Sequence, residues 1–307
     1  MTQRNETVTG GVYAFVAYLL WGLFPLYFLA LLPSGPWEIV AWRVLLSLVF
    51  CIVALTVTRG WAALARIVRQ PRLLGWTAAA GVLIFVNWTV YLIGTLTGHV
   101  IEASLGYFIN PIVTVLLGVL VLRERLRPAQ WAAIGIALIA VVVIVVGYGH
   151  VPWIALALAF SFGLYGLAKN RVGSSVDAVS GLTLETAWLT PVAVAVLVWV
   201  SATSGITLAA YGPLHGVLLA LAGIVTAIPL LLFAAATRRA PLSLVGLLQF
   251  LTPILQFITG AAILHEDMPL ERWIGFGLVW VALVVLTVDS LRHARRARGV
   301  TDVAELA

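Results

Sequence analysis

From Gly11 to about residue 290 the chain is a succession of apolar runs, each about twenty residues long and separated by short polar breaks. That is the length an α-helix needs to cross the hydrocarbon core of a bilayer. Ten such runs are read: 11–32, 38–58, 73–97, 101–121, 128–147, 151–170, 177–200, 214–236, 241–263 and 270–290. Breaks such as "PSGPWE", "RERLRP", "KNRVGSSVD" and "HEDMPLER" carry the Gly, Pro and charge that punctuate helices. Only 10% of the residues are charged and 62% are hydrophobic, whereas a soluble domain carries roughly 25% charged residues. Apolar surface on this scale makes lipid the solvent. The first run is too long for a signal-peptide core and no small-x-small site follows it, so it is expected to stay as a spanning helix.

The positive charges fix an expected orientation. With the N-terminus inside, 16 of the 18 Lys and Arg residues fall in cytoplasmic segments, Arg272 in an external loop and Arg43 within helix 2. Positive loops are retained on the cytoplasmic side during insertion, so both termini are expected inside, which requires an even number of crossings. The formal net charge of +6 therefore reports topology, and no nucleic-acid partner is expected. "ARIVRQPR", between helices 2 and 3, reads as a topogenic loop or as a short helix lying on anionic lipid.

An internal repeat runs through the chain. "NPIVTVLLGVLVLRERLRPAQW" from Asn110 returns as "TPILQFITGAAILHEDMPLERW" from Thr252, with Pro111, Ile112, Gly118, Leu122, Glu124 and Trp131 each 142 residues before a counterpart. Arg123 and Arg125 become His265 and Asp267. Five helices per copy would insert the second copy from the opposite face, so the apolar frame is kept while the cytoplasmic arginines are lost. Two inverted units related by an axis in the membrane plane are a common plan of secondary transporters. The expected organisation is all-α, ten transmembrane helices in two inverted five-helix repeats. A tail, 1–9, precedes the first repeat, 10–148; the second repeat, 149–291, is followed by a basic cytoplasmic tail, 292–307.

Ionisable groups at membrane depth are costly and are functional candidates by default. Arg43 and Glu185 are 142 apart, at equivalent places on helices 2 and 7. Arg43 is expected somewhat outside the midplane and Glu185 somewhat inside it, both facing one cavity. They would clamp a substrate carboxylate and meet a substrate amine or a coupling proton; the bland alternative is an Arg–Glu pair holding helices together, or an Arg snorkelling outward. Further candidate binding residues are Tyr18 and Trp21 on helix 1, Asn87, Trp88 and Tyr91 on helix 3, and Tyr107 and Asn110 on one face of helix 4. Phe162 and Tyr165 on helix 6 and Gln249, Phe250 and Gln256 on helix 9 extend the set, Tyr165 and Gln249 being preferred; each could equally bond or pack against a neighbouring helix. Trp37, Trp61 and Trp153 read as interfacial belt residues.

Pro25, Pro111 and Pro253 are candidate hinges, because proline removes a helical hydrogen bond; Pro111 and Pro253, being counterparts, are expected to bend helices 4 and 9 symmetrically. Gly135, Gly275 and Gly277 would allow close helix contact in helices 5 and 10. Those two helices are assigned to the periphery, facing lipid or a second copy in a homodimer. The single cysteine, Cys51, and five dispersed histidines give no metal-ligand spacing. There is no P-loop and no G-x-S-x-G, so no catalytic residue, cofactor or metal is expected.

"AYLLWGLFPLYF", "EASLGYFINPIVTVLLGVLVLRERLRPAQW", "ALAFSFGLYGL", "LETAWLTPVA", "GIVTAIPLLLFAAATRRAPLSLVGLLQFLTPIL" and "WVALVVLTVD" together resemble the RarD branch of the EamA-type transporters in the drug/metabolite transporter superfamily. The resemblance spans about residues 11–290. It implies ten helices with inverted repeats in a bacterial cytoplasmic membrane, and relatives that move amino acids and other small metabolites. Arg43, Glu102, Tyr107, Asn110, Glu124 and Glu185 fit the family pattern; Trp42 and Leu46 stand where the family commonly has His and Trp. The expected function is alternating-access transport of small organic solutes, amino acids or related zwitterions foremost. A lipid-linked sugar carrier or flippase of the same fold, a channel, and a membrane-embedded sensor or enzyme are the alternatives.

Overall fold

The computed structural model describes residues 3–122, 126–148, 151–237, 239–240 and 242–305. Its helices are α1 (Gln3–Gly22), α2 (Phe24–Leu29), α3 (Pro36–Val57), α4 (Trp61–Val68), α5 (Pro71–Leu96), α6 (Val100–Leu122) and α7 (Pro128–Tyr148). The second half supplies α8 (Trp153–Val172), α9 (Ala178–Thr203), α10 (Pro213–Ala220), α11 (Ala222–Thr237), α12 (Leu242–Leu248), α13 (Leu251–Ile258) and α14 (Leu270–Glu305). Among the described residues nine helical stretches are long and apolar enough to cross a membrane. The sixth expected run coincides with α8, of 20 residues, whose last turn carries Lys169 and Arg171.

Local chemistry sets where these helices begin. Proline occupies the first position of α3, α5 and α10, where its missing N–H costs nothing. Asp177 caps α9, accepting from the Val179 and Ser180 amides at 3.1 and 3.0 Å. Two starts are capped by acids from other elements. Glu266 accepts from the Val100 and Ile101 amides of α6 at 2.6 and 2.9 Å, and Glu102 accepts from the Ile154 amide of α8 at 2.9 Å. Orphan N–H groups at a helix start attract negative charge, so these carboxylates fasten one span to the next. Glu124, the repeat counterpart of Glu266, lies outside the described residues with Arg123 and Arg125.

Three spans read as continuous are interrupted. The first breaks at Leu23 into α1 and α2, with Pro25 in the opening turn of α2. The eighth breaks at Leu221 between α10 and α11, and the ninth at Gln249–Phe250 between α12 and α13. A π-helical turn, Thr259–Ile263, follows α13. The proline pair is therefore not symmetric in effect: α6 runs unbroken through Pro111, whereas Pro253 lies in the first turn of α13 just after a break. The first four residues of "ARIVRQPR" end a helix, α4, whose Ile67 is buried while its Arg66, and Arg69 just beyond it, stay exposed. The ends differ too: α1 starts at Gln3, inside the expected tail, and the backbone of α14 stays helical to Glu305.

The principal helix pairings keep their form when each helix is exchanged for its repeat counterpart. α1 packs on α11 and α13 as α8 packs on α5 and α6, and α3 packs on α11 as α9 packs on α5. α3 with α9, α6 with α13 and α7 with α14 pair counterpart to counterpart. The same exchange appears at single residues. A Cβ on Gly22 would stand 2.6 Å from Leu255, and one on Gly163 would stand 3.1 Å from Val113. Gly223 lets α11 approach the Leu46 backbone of α3, where a Cβ would lie 2.3 Å from its carbonyl carbon; Gly81 does the same for α5 against Glu185 of α9, at 3.0 Å.

Helices 5 and 10 present their packing stripe to each other within one chain. Ile144 of α7 fills the space beside Gly275 of α14, and Arg127 pairs with Asp289 at 2.6 Å. Gly135 and Gly277 have nothing within 4 Å of a Cβ, so close contact explains Gly275 alone. The outer faces of both helices remain apolar and exposed at Leu138, Val142, Val281 and Val284.

Candidate functional site

Arg43 is 3% exposed on α3. Its Nε donates to Thr226 Oγ1 of α11 at 2.7 Å, and its Nη1 has no hydrogen-bond partner. Aromatic rings replace a counter-ion: the guanidinium lies 4.2 Å from the Trp88 centroid, 5.3 Å from Phe28 and 5.4 Å from Phe24. The phenols of Tyr27, Tyr91 and Tyr107 lie within electrostatic range. A cation–π contact contributes about 0.5–2 kcal/mol, while burying an ion costs several kcal/mol. The cage therefore moderates the burial of Arg43 without making that burial a gain in stability.

Tyr91 carries the centre further. It stacks on Phe28 at 6.1 Å and on Tyr107 at 5.8 Å, and its hydroxyl faces Thr95 and Gln256 without closing a well-formed bond to either. Trp88, Tyr91 and Thr95 fall at helical spacing on one face of α5. Gln256 arrives from α13 because of a proline. Pro25 has no N–H to offer the Trp21 carbonyl, and that carbonyl accepts from Gln256 Nε2 at 3.2 Å instead. Arg43 Nη1, Tyr91 Oη and Thr95 Oγ1 thus remain as buried polar atoms without partners around the centre, and Gln256 Oε1 is likewise buried without a partner.

Glu185 is satisfied elsewhere. It is 1% exposed and accepts from Lys169 Nζ at 2.5 Å and from Tyr165 Oη at 3.1 Å. It lies beside Cys51 and Thr183. Cys51 is eight residues beyond Arg43 on α3, or roughly 12 Å along the axis at 1.5 Å per residue. The expected convergence of Arg43 and Glu185 on one small zwitterion is not what this conformation shows. The Arg–Glu pair is absent as well; the carboxylate takes the half-exposed Lys169, whose stem carries its charge inward from a helix end.

The remaining candidates divide by what they touch. Asn87 bonds α5 to its neighbours, donating to the Leu158 carbonyl at 3.2 Å and Ser161 Oγ at 3.0 Å and accepting from Tyr107 at 3.2 Å. Asn110 accepts from Thr114 at 3.2 Å while its Nδ2 lacks a partner. Tyr18 and Trp21 stack with Phe233, and Thr252 donates to the Tyr18 carbonyl at 2.8 Å. Gln249 is half-buried at the break before α13. Trp42 donates to Glu38, which also holds the Thr207 amide at 2.7 Å. Sequence reasoning overlooked Phe24, Phe28, Thr95, Thr226 and Lys169 and ranked Gln249 over Gln256. Gln256 had a signal, an amide in an apolar run three residues after Pro253, and Lys169 had its charge.

Fold and site together define a multi-pass α-helical membrane protein with a buried, positively charged polar centre. The EamA-like transporter family matches residues 8–146. Protein RarD of Streptomyces exfoliatus is 49% identical over 99% of this chain and 96% of its own. The uncharacterized transporter YojE of Bacillus subtilis is 39% identical over 96% and 99%, and protein RarD of Escherichia coli 37% over 95% and 98%. A solved crystal structure with 20% identity superposes with a TM-score of 0.58 over 91% of this chain and 97% of its own, a likeness of fold. The chain belongs to the RarD branch of the EamA-like transporters, in the drug/metabolite transporter superfamily, and is a membrane transporter.

Proposed function

We propose that the protein is a secondary transporter of small organic solutes in the bacterial cytoplasmic membrane, working by alternating access of two inverted halves, 10–148 and 149–291. Ten crossings with both termini cytoplasmic fit the arginine asymmetry and the exchange symmetry of the helix pairings. The observation that carries the reading is Arg43: a permanent charge, deep among apolar spans, with an unmet N–H and aromatic faces in place of a carboxylate. Such a residue has no stabilising purpose, and intramembrane charges of this kind mark solute paths. The interruptions near Leu23, Leu221 and Gln249 supply the discontinuous helices that transporter sites are built from.

Counterflow in proteoliposomes against a panel of amino acids and related metabolites tests this. Loaded wild-type vesicles should accumulate labelled solute, and Arg43→Ala should lose at least about tenfold of the rate, as expected for a charge-assisted contact worth about 1.5–3 kcal/mol. Absence of counterflow for every solute, with downhill flux intact, would indicate a channel.

A second reading, carriage of a lipid-linked substrate, is favoured by one feature. An apolar groove of about 650 Å³ opens between α3 and α9, lined by Trp37, Pro191, Val192, Ala195, Val196 and Trp199. Transport of water-soluble solutes that is unchanged by filling this groove with Ala195→Trp would set that reading aside.

A further inference from the structure

We propose that Ser34 and Glu38 of the first half, with Thr207 and His215 of the second, form the external gate of the transport path, shut in this conformation. The inference rests on the transport reading and names the residues that close one end of it. Glu38, in the first turn of α3, is buried, as are Ser34 just before that helix and His215 at the start of α10. Glu38 Oε1 accepts from the Thr207 amide at 2.7 Å and from Trp42 Nε1 at 3.3 Å, and its Oε2 accepts from Thr207 Oγ1 at 2.9 Å. Ser34 Oγ lies 2.6 Å from Thr207 Oγ1 and 3.0 Å from His215 Nε2. A carboxylate only accepts, so Thr207 gives its proton to Glu38 and Ser34 donates to Thr207. The Ser34 oxygen then accepts from a hydrogen on His215 Nε2. The chain runs one way, from His215 to Glu38, and each of its three links crosses between the halves.

Position is the first ground for calling this a gate. Glu38 lies five residues outward of Arg43 on α3, or roughly 7.5 Å along the axis, so the clasp stands between the buried centre and the end of the bundle that holds the α2–α3 connection. Tyr27 of α2 extends the closure, its hydroxyl donating to the Leu218 carbonyl of α10 at 2.8 Å. Asymmetry is the second ground. At the spacing of 142, Glu38, Thr207 and His215 correspond to Ser180, Ala65 and Leu73, which supply neither a carboxylate nor an imidazole. Glu102 and Glu266 also bond across the halves at the external end. At the opposite end, among the described residues, the ion pair across the halves is the partly exposed Arg127–Asp289. Packing that is alike at both ends is thus biased toward one by polar ties. Reversibility is the third ground. The segment between α9 and α10 is largely exposed, so opening would exchange these bonds for bonds to water and cost little net free energy.

The test is the accessibility of one thiol from each side of the membrane. Thr95→Cys is placed in a Cys51→Ser background, Thr95 being buried with its hydroxyl unpartnered. Intact cells and inverted vesicles are treated with a membrane-impermeant methanethiosulfonate. Glu38→Gln and Thr207→Val should each raise labelling from outside by about tenfold, the worth of one charge-assisted bond, and should not raise it from the cytoplasmic side. Thr207→Ser, which keeps the hydroxyl, should label as the parent does. Thr207→Val keeps the shape of the residue and carries the test if Glu38→Gln fails to reach the membrane. Unchanged labelling from outside, a rise from both sides as general loosening would give, or equal effects of Thr207→Ser and Thr207→Val would overturn the inference. Wild-type counterflow beside unchanged labelling would keep transport and discard the gate. The expected labelling without counterflow of any solute would fault the transport reading instead.

Discussion

A polar side chain in lipid must either find partners or be held in reserve, and Asn87 and Arg43 show the two outcomes. All of Asn87's neighbours are protein: Leu158, Ser161 and Tyr107. Asn87→Ala should therefore lower stability by about 1–3 kcal/mol through the groups left unpaired, seen as a lower melting temperature, with solute preference intact. A changed preference would place Asn87 in the site. Asp177 is a simpler case at the membrane edge. Burial pushes its carboxyl up, but hydrogen bonds from Ser180 and Val179 outweigh this and hold it below the ordinary value. A depressed pKa stabilises the fold above the unfolded-chain value and loses that contribution as pH falls through the folded one. Asp177→Ala should cost about 1 kcal/mol at neutral pH and flatten the stability loss in mild acid; an unchanged acid limb would contradict this. The sequence marked Arg43, Trp88, Tyr91 and Tyr107, which do converge, because charge and aromatic spacing survive in one dimension. It could not separate the satisfied Asn87 from the reserved Arg43, since the deciding partners sit on helices far along the chain. Nor could it find Phe24 and Phe28, ordinary apolar residues until a guanidinium lies between them.

Among the elements, two glycines of like appearance should behave oppositely. Gly223→Ala would drive a methyl group into the Leu46 backbone, forcing α3 and α11 apart at a cost of about 1–3 kcal/mol. Gly135→Ala meets open space and should be neutral or stabilising by up to about 1 kcal/mol, through helix propensity. Melting temperatures in detergent would rank the two, and equal losses would contradict the close approach. The Lys169–Glu185 link ties the end of α8 to α9 beside Cys51, the chain's single cysteine. Glu185→Gln should loosen that junction and raise maleimide labelling of Cys51 several-fold at fixed pH; unchanged labelling would show that the link holds nothing shut. The helices themselves were plain in the hydropathy, to within a few residues at most ends. The break at Gln249 was legible in part, since Pro253 has no N–H for the Gln249 carbonyl; nothing in the sequence around Leu221 marks the other. Lys169 looked like a topogenic charge because its backbone does sit at a helix end.

For the molecule as a whole, segments 142 residues apart share an apolar frame and differ in their loop charges, as two inverted units would. The exchange of α1–α11 for α8–α5 and of Gly22–Leu255 for Gly163–Val113 is its three-dimensional counterpart. Cysteines placed in the two tails of a Cys51→Ser background should both be protected from impermeant maleimide in intact cells and both react after permeabilisation; opposite behaviour of the tails would contradict an even number of crossings. The two halves differ at one joint: the first span is interrupted beside Pro25, and the Trp21 carbonyl left without a helical donor is tied to Gln256. Because Pro25 leaves that carbonyl without a helical donor, a side chain of α13 rather than the backbone of the first span closes the joint between α1 and α2.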